Sequence, residues 1–267
     1  MPDPTLGVML CAHIDLPAVY GDLFAAQAPH LTLLPPDEIP DPTEVTFALA
    51  WRPEDDAFSA YPNLRAIFSI AAGMDGILSC TSRPKDVPVI RVVDPDQANQ
   101  MAAFAVFHVI WHHRNFKGML EAQSQGIWSR QRGGRSPLGC EVGILGFGHL
   151  GRRVGKALVD LGHPVRSLSR SPVDPPEPGV THFQDADGGR AAFLQGCRIL
   201  INLLPMTEAT RGILGKPLFG ALPKGAALIH IGRGDQLIEQ DLIDALNTGQ
   251  LSGASLDVFP TEPLPQD

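Results

Sequence analysis

The chain has 267 residues, 44% hydrophobic and 19% charged, so it holds apolar material for one large or two modest domains and is not a disordered polymer. A formal net charge of -8 argues against nucleic acid as a partner, because phosphate binding needs a concentrated basic surface. No stretch is apolar for long enough to span a bilayer, and Met1 to Leu10 lacks a basic start and a cleavable apolar run, so a cytoplasmic protein without a membrane partner is expected.

In chain order, the first third alternates short apolar runs with amphipathic segments. Leu6 to Leu10, Leu31 to Leu34, Thr46 to Trp51, Ala66 to Ile70 and Val87 to Val92 read as strands covered on both faces, and Leu16 to Gln27 reads as a helix between the first two. The proline-free segment Gln97 to Gln123 carries Met101, Phe104, Ala105, Val109 and Trp111 near helical spacing and predicts one long helix. Arg130 to Pro137 is a polar, glycine-rich loop. A second series follows, with strands at Val142 to Leu145, Pro164 to Leu168, Ile199 to Leu204, Ala226 to Ile231 and Gly253 to Phe259. Helices are expected at Gly148 to Leu161 and at Leu237 to Asn247, the latter closed by Gly249. Ser171 to Gly179 is a proline-rich loop. This alternation implies two doubly wound, parallel-sheet α/β domains, residues 1–93 and 94–267. The cysteines Cys11, Cys80, Cys140 and Cys197 lack metal-ligand spacing and read as small buried thiols, with no metal expected.

The sharpest local signal is Gly146-Phe147-Gly148-His149-Leu150-Gly151, which follows a strand directly and opens a helix. Gly146 suits the tight turn, Gly148 lets the backbone approach a pyrophosphate, and Gly151 lets helix and strand pack closely. Backbone N–H groups at the helix start then hold the anion. At the end of the next strand an NAD enzyme would place a carboxylate for the ribose. This chain has Ser169-Arg170-Ser171, with no carboxylate between Asp160 and Asp174. A guanidinium flanked by hydroxyls suits a 2′-phosphate, so NADP(H) is expected over NAD(H).

Several ordered motifs then carry a resemblance over nearly the whole chain: Ala71-Ala72-Gly73-Met74-Asp75, the glycine loop, Leu203-Leu204-Pro205 with Thr207, Ile231-Gly232-Arg233-Gly234, and Leu256-Asp257-Val258-Phe259 followed by Glu262-Pro263. The sequence resembles the D-isomer-specific 2-hydroxyacid dehydrogenases, in particular their glyoxylate/hydroxypyruvate reductase branch. The resemblance implies a flavodoxin-like substrate domain and a Rossmann cofactor domain with a cleft between them. It implies that Arg233 grips the substrate carboxylate and polarises the carbonyl, a task that suits a fixed, forked cation. It further implies that Gly73 and Met74 offer amides to that carboxylate, that Trp51 shapes the substrate pocket, and that Asp257 accepts from the nicotinamide carboxamide. Leu204 and Pro205 would pass beneath the cofactor, with Thr207 near its phosphates and Ile231 and Gly232 along its side. Glu262 matches a glutamate that orients a proton-donating histidine.

That histidine, which the family carries downstream in a Pro-His motif, is absent from this sequence: all nine histidines precede Glu262. The expectation is therefore a chain that continues beyond Asp267. Ala103 stands where many relatives carry Glu. The function expected is NADPH-dependent reduction of a small 2-keto acid, glyoxylate or hydroxypyruvate, by a homodimer whose arm is the long helix and the Arg130 to Pro137 loop. Two alternatives stay open: a cofactor-sensing, corepressor-like binding protein without turnover, and an NAD-linked dehydrogenase of another small acid.

Overall fold

The computed structural model describes residues 5–128, 136–186 and 188–266. The chain divides into two compact units, Met1–Asp94 and Pro95–Asp267. No helix among the described residues is long and apolar enough to cross a membrane.

The first unit contains β1 (Thr5–Cys11), α1 (Leu16–Gln27), β2 (Leu31–Leu34), β3 (Phe47–Trp51), β4 (Ala66–Ser69), α2 (Asp75–Leu78) and β5 (Val89–Ile90). All its strand pairs are parallel, in the order β2-β1-β3-β4-β5. The start of α1 follows from chemistry: the Asp15 carboxylate accepts from the Ala18 amide at 3.0 Å, and a proline occupies the first turn. Val8, Leu10, Ala48, Ala50 and Ile67 turn one face of the sheet onto Phe58, Tyr61, Leu64 and Ile77. The predicted strand Val87 to Val92 shrinks to the two residues of β5, because only Ile67 and Phe68 of β4 are there to pair with it.

The second unit contains α3 (Pro95–His113), α4 (Phe116–Ser124), β6 (Val142–Leu145), α5 (His149–Asp160), β7 (Val165–Ser169), β8 (Val180–Gln184), α6 (Gly189–Gly196), β9 (Ile199–Asn202), α7 (Lys216–Ala221), β10 (Ala226–His230), α8 (Glu239–Asn247) and β11 (Leu251–Leu256). Its six-stranded sheet is all parallel, in the order β11-β10-β9-β6-β7-β8. Alternation along the strands feeds two cores. Val142, Ile144, Ile199, Ile201, Ala227 and Ile229 meet α3 and α5 through Ala102, Ala105, Val109, Val154 and Leu158. Leu145, Leu200 and Leu228 point the other way, onto Phe193, Leu194, Leu218 and Phe219. Burying each such side chain contributes roughly 1.5–3 kcal/mol.

Two expectations need correction here, and a third lies mostly outside the described residues. The helix predicted over Gln97 to Gln123 is two helices, broken where Asn115 adopts left-handed φ 54°, a conformation that asparagine tolerates better than most residues. The last strand is Leu251–Leu256, so Asp257, Val258 and Phe259 lie past its end. The dimer arm expected at Arg130 to Pro137 falls mostly outside the described residues; Ser136 and Pro137 cap and open a short 3₁₀ turn.

Candidate functional site

In the second unit most of the expected site residues gather where the strands end, the edge at which doubly wound sheets bind ligands. Gly146 follows β6 with φ +91°, a conformation open to glycine, and a Cβ there would press on the Leu203 carbonyl at 3.0 Å. A Cβ on Gly151 would collide with the Gly146 carbonyl oxygen, which explains the third glycine by packing alone. Gly148 differs. It lies just before α5, is exposed, and a Cβ there meets nothing within 4 Å. Protein packing does not demand this glycine, and the open space in front of it fits a bound anion. His149 is exposed beside it, whereas Phe147 turns inward, 7% exposed and edge-on to His182. Leu150 packs against the core. Phe147 and Leu150 thus offer a ligand their backbones.

Ser169 ends β7, and its hydroxyl donates to the Ser171 carbonyl at 2.6 Å. Between them Arg170 is exposed, its side chain without a polar partner among the described residues. Leu204 donates its amide to Asn202 Oδ1 at 3.4 Å. The Thr207 amide and hydroxyl both engage Thr210 Oγ1, which donates in turn to the Pro205 carbonyl at 2.8 Å.

The turn after β10 is held by residues the sequence did not single out. Gln236 is fully buried; its Oε1 accepts from the Arg233 amide at 3.0 Å and from Asn202 Nδ2 at 2.7 Å. Its Nε2 donates to the carbonyls of Leu204 at 3.1 Å and Pro205 at 3.0 Å. His230, also fully buried, must donate from Nε2 to the Arg233 carbonyl at 3.0 Å, since a carbonyl only accepts; Nδ1 therefore accepts from Asn202 Nδ2 at 3.1 Å. Burial pushes His230 down to about 4, against the pull of that carbonyl, so the ring is neutral and of fixed tautomer at physiological pH. Gly232 is glycine because a Cβ would collide with Gln236 Oε1, and Gly234 because a Cβ would strike the Phe259 backbone. Between them Arg233 is exposed, with Nη1 donating to the Gly232 carbonyl at 2.8 Å. Ile231, 5% exposed, packs into the core.

The contact between Gly234 and Phe259 joins the Arg233 turn to the segment past β11. Asp257 is exposed there, its amide donating to the His230 carbonyl at 3.0 Å. Burial holds His108 of α3 below the usual imidazole value, while the Asp257 carboxylate opposes that shift. Glu262 Oε1 accepts from the Phe259 amide at 3.0 Å, and no hydrogen bond joins Glu262 to a histidine among the described residues.

The first unit carries the remaining expected residues. Trp51 ends β3, with the Arg52 guanidinium 5.7 Å from its ring centroid and His13 edge-on at 6.4 Å. Ser69 Oγ lies 2.9 Å from the Ala71 carbonyl and 3.2 Å from that of Gly73, and it accepts from the Ala71 amide at 3.1 Å. This shapes the turn into α2. The amides of Gly73 and Met74 donate to no partner among the described residues.

Known proteins resemble this chain over most of its length. Residues 106–267 match the family model of the D-isomer specific 2-hydroxyacid dehydrogenase NAD binding domain. Glyoxylate/hydroxypyruvate reductase A of Serratia proteamaculans is 41% identical over 233 residues, 85% of this chain and 72% of that protein. Its namesake from an Enterobacter species is 39% identical over 236 residues, 84% and 72% of the two chains. Among solved structures, a D-isomer specific 2-hydroxyacid dehydrogenase from Xanthobacter autotrophicus, in complex with NADPH and MES, superposes with a TM-score of 0.89. It is 33% identical and covers 98% of this chain and 83% of its own. An NADPH-dependent glyoxylate/hydroxypyruvate reductase from Sinorhizobium meliloti, in complex with NADP and sulfate, gives 0.88 at 30% identity, with 98% and 84% covered. The glycine turn at a strand end, the clamped arginine turn and these likenesses together place the chain in the D-isomer specific 2-hydroxyacid dehydrogenase family, a family of NAD(P)-dependent oxidoreductases.

Proposed function

We propose that the protein reduces a small 2-keto acid, glyoxylate or hydroxypyruvate, to the 2-hydroxy acid with NADPH. The observation that carries this reading is the open space before Gly148, at the carboxyl edge that also presents Arg170 and Arg233. Amides at the start of α5 hold the pyrophosphate. Arg170, between two serine hydroxyls, pairs with the 2′-phosphate, and the relatives from Xanthobacter and Sinorhizobium carry NADPH or NADP. The bound nicotinamide supplies the hydride. Arg233 polarises the substrate carbonyl, and its backbone is kept in place by Gln236 and His230. The amides of Gly73 and Met74 serve the substrate carboxylate, and Trp51 limits substrate size. Asp257 takes the carboxamide, and Glu262 orients the group that delivers the proton; no histidine of this sequence is assigned that step.

The test is consumption of NADPH in the presence of glyoxylate or hydroxypyruvate, run beside NADH. Turnover that prefers NADPH, falls by two or more orders of magnitude in Arg233→Ala, and shifts toward NADH in Arg170→Asp is the expected result. Tight NADPH binding without turnover on either acid would favour the cofactor-sensing alternative. Arg170→Asp with an unchanged NADPH preference would remove Arg170 from the site.

A further inference from the structure

We propose that His113, Cys140 and His163 form a binding site for Zn²⁺ at the amino edge of the second unit's sheet, away from the nucleotide turn. One ligand atom from each of the three lies within 4.8 Å of the other two. The residues come from three separate elements. His113 is the last residue of α3, Cys140 lies two residues before β6, and His163 lies two residues before β7. Gly146 stands at the other end of β6, so the four residues of that strand, roughly 13 Å at 3.3 Å each, separate this cluster from the cofactor cradle.

The geometry has the features of a built site. Cys140 and His163 are each 5% exposed, and His113 is half-buried. His163 Nδ1 lies 3.1 Å from the Cys140 carbonyl oxygen, which only accepts, so Nδ1 carries the proton and Nε2 keeps its lone pair for a ligand. A ring nitrogen donating to a backbone carbonyl is the usual support behind a metal-bound imidazole, since it fixes tautomer and ring plane. The His163 amide donates to the Leu158 carbonyl at 3.0 Å and the Cys140 amide to the Pro137 carbonyl at 2.9 Å, so both backbones are anchored. The His113 and His163 rings meet edge-on at 5.3 Å between centroids. A tetrahedral Zn²⁺ with ordinary bond lengths keeps its ligands about 3.5 Å apart, so small side-chain rotations close the cluster onto an ion. Two imidazoles and a thiolate select a borderline-soft cation over Mg²⁺ or Ca²⁺, and water completes the tetrahedron. On binding, Cys140 loses its thiol proton to solvent and its sulfur donates a pair to the metal, with no change of oxidation state. Such an ion would tie the end of α3 to the starts of the two strands that frame the glycine turn.

The test uses the full chain, stripped with a chelator and titrated with Zn²⁺ against a chromophoric competitor. Co²⁺ is substituted in parallel to read a thiolate-to-metal charge-transfer band. One equivalent of Zn²⁺ bound in the micromolar range or tighter, a raised Tm, and a Co²⁺ thiolate band are expected. Cys140→Ala and His113→Ala should each weaken binding more than about tenfold, since loss of even an outer partner of a metal ligand costs that much. Cys11→Ser should leave binding intact. His113 is half-buried, so His113→Ala decides the question if Cys140→Ala fails to fold. Absence of binding below millimolar Zn²⁺, a Co²⁺ complex without the thiolate band, or affinity unchanged in a folded His113→Ala protein would each overturn the site.

Discussion

Gln236→Leu is the sharpest test of how the Arg233 turn is held. The substitution keeps the side chain's approximate bulk and removes its four hydrogen bonds, to the Arg233 amide, Asn202 Nδ2, and the carbonyls of Leu204 and Pro205. Arg233 and Pro205 are exposed and can turn to water, whereas Asn202 is fully buried and Leu204 is half-buried. Asn202 therefore loses a partner with no solvent to replace it, and Leu204 one that solvent replaces only in part; at about 1–3 kcal/mol each, a loss of about 2–6 kcal/mol is expected. That is a large share of the roughly 5–15 kcal/mol that ordinarily holds a domain together. Urea denaturation followed by circular dichroism measures it, with Gln240→Leu as control. Gln240 is exposed and among the described residues its side chain bonds only Asp244, so its loss should stay within about 0.5 kcal/mol. Catalytic efficiency on a 2-keto acid gives a second readout, which should fall even where the protein stays folded if Arg233 has the role proposed for it. Should Gln236→Leu cost no more than the Gln240 control, the buried network is not what positions Arg233.

Gly148→Ala should leave the melting temperature nearly unchanged and weaken NADPH binding, while Gly151→Ala should cost about 1–3 kcal/mol through its clash with the Gly146 carbonyl. Thermal melts and a cofactor fluorescence titration separate the two, and equal affinity in Gly148→Ala would argue against a phosphate at that position. His112 and His230 are both held down to about 4 by burial, His112 also by the neighbouring His108. Below the unfolded value near 6.5 the denatured chain takes up protons that the native one refuses. Stability should therefore fall between pH 6.5 and 4, by up to about 1.4 kcal/mol per pH unit for each histidine. Urea midpoints at pH 7.5 and 5 check this, and a flat profile contradicts the neutral, buried assignments. Burial drives the Cys197 thiol up to about 12, and Cys80 and Cys140 are buried as well. A thiol reagent should accordingly modify Cys11 first in the native protein and all four cysteines in denaturant; early labelling of Cys197 would contradict the packing.

The sequence disclosed the elements whose signal is local. Helix α1 shows its Asp15 cap and opening proline, and β6 is an unbroken apolar run ahead of a glycine turn. Elements that depend on their neighbours were harder to read. Strand β8, Val180–Gln184, lies on the edge of its sheet and mixes polar with apolar residues, so it lacks the continuous run of a central strand. The break at Asn115 is hidden because apolar residues resume at Phe116, Met119 and Leu120 on the far side. The arginine and the glycine turn were legible as motifs. Asn202, His230 and Gln236 were not, since each is a single polar residue whose meaning appears only when three segments meet. Asn202 and His230 did leave a trace, as the polar residues that end otherwise apolar strands. Cys140 escaped for a similar reason: its histidine neighbours lie many residues away on either side.

The position of β6 in its sheet has one more consequence. It pairs with a strand on each side, and all four of its residues are buried, so the amides that lead into Gly146 should exchange slowly with solvent, through opening of much of the unit. Ser169, Arg170 and Ser171 hang from β7, one strand nearer the edge, and exchange there should be faster. If the proposed roles hold, what any dinucleotide requires is rooted in a central strand and the choice between two dinucleotides lies nearer the margin, so cofactor preference should be open to redesign without loss of pyrophosphate binding.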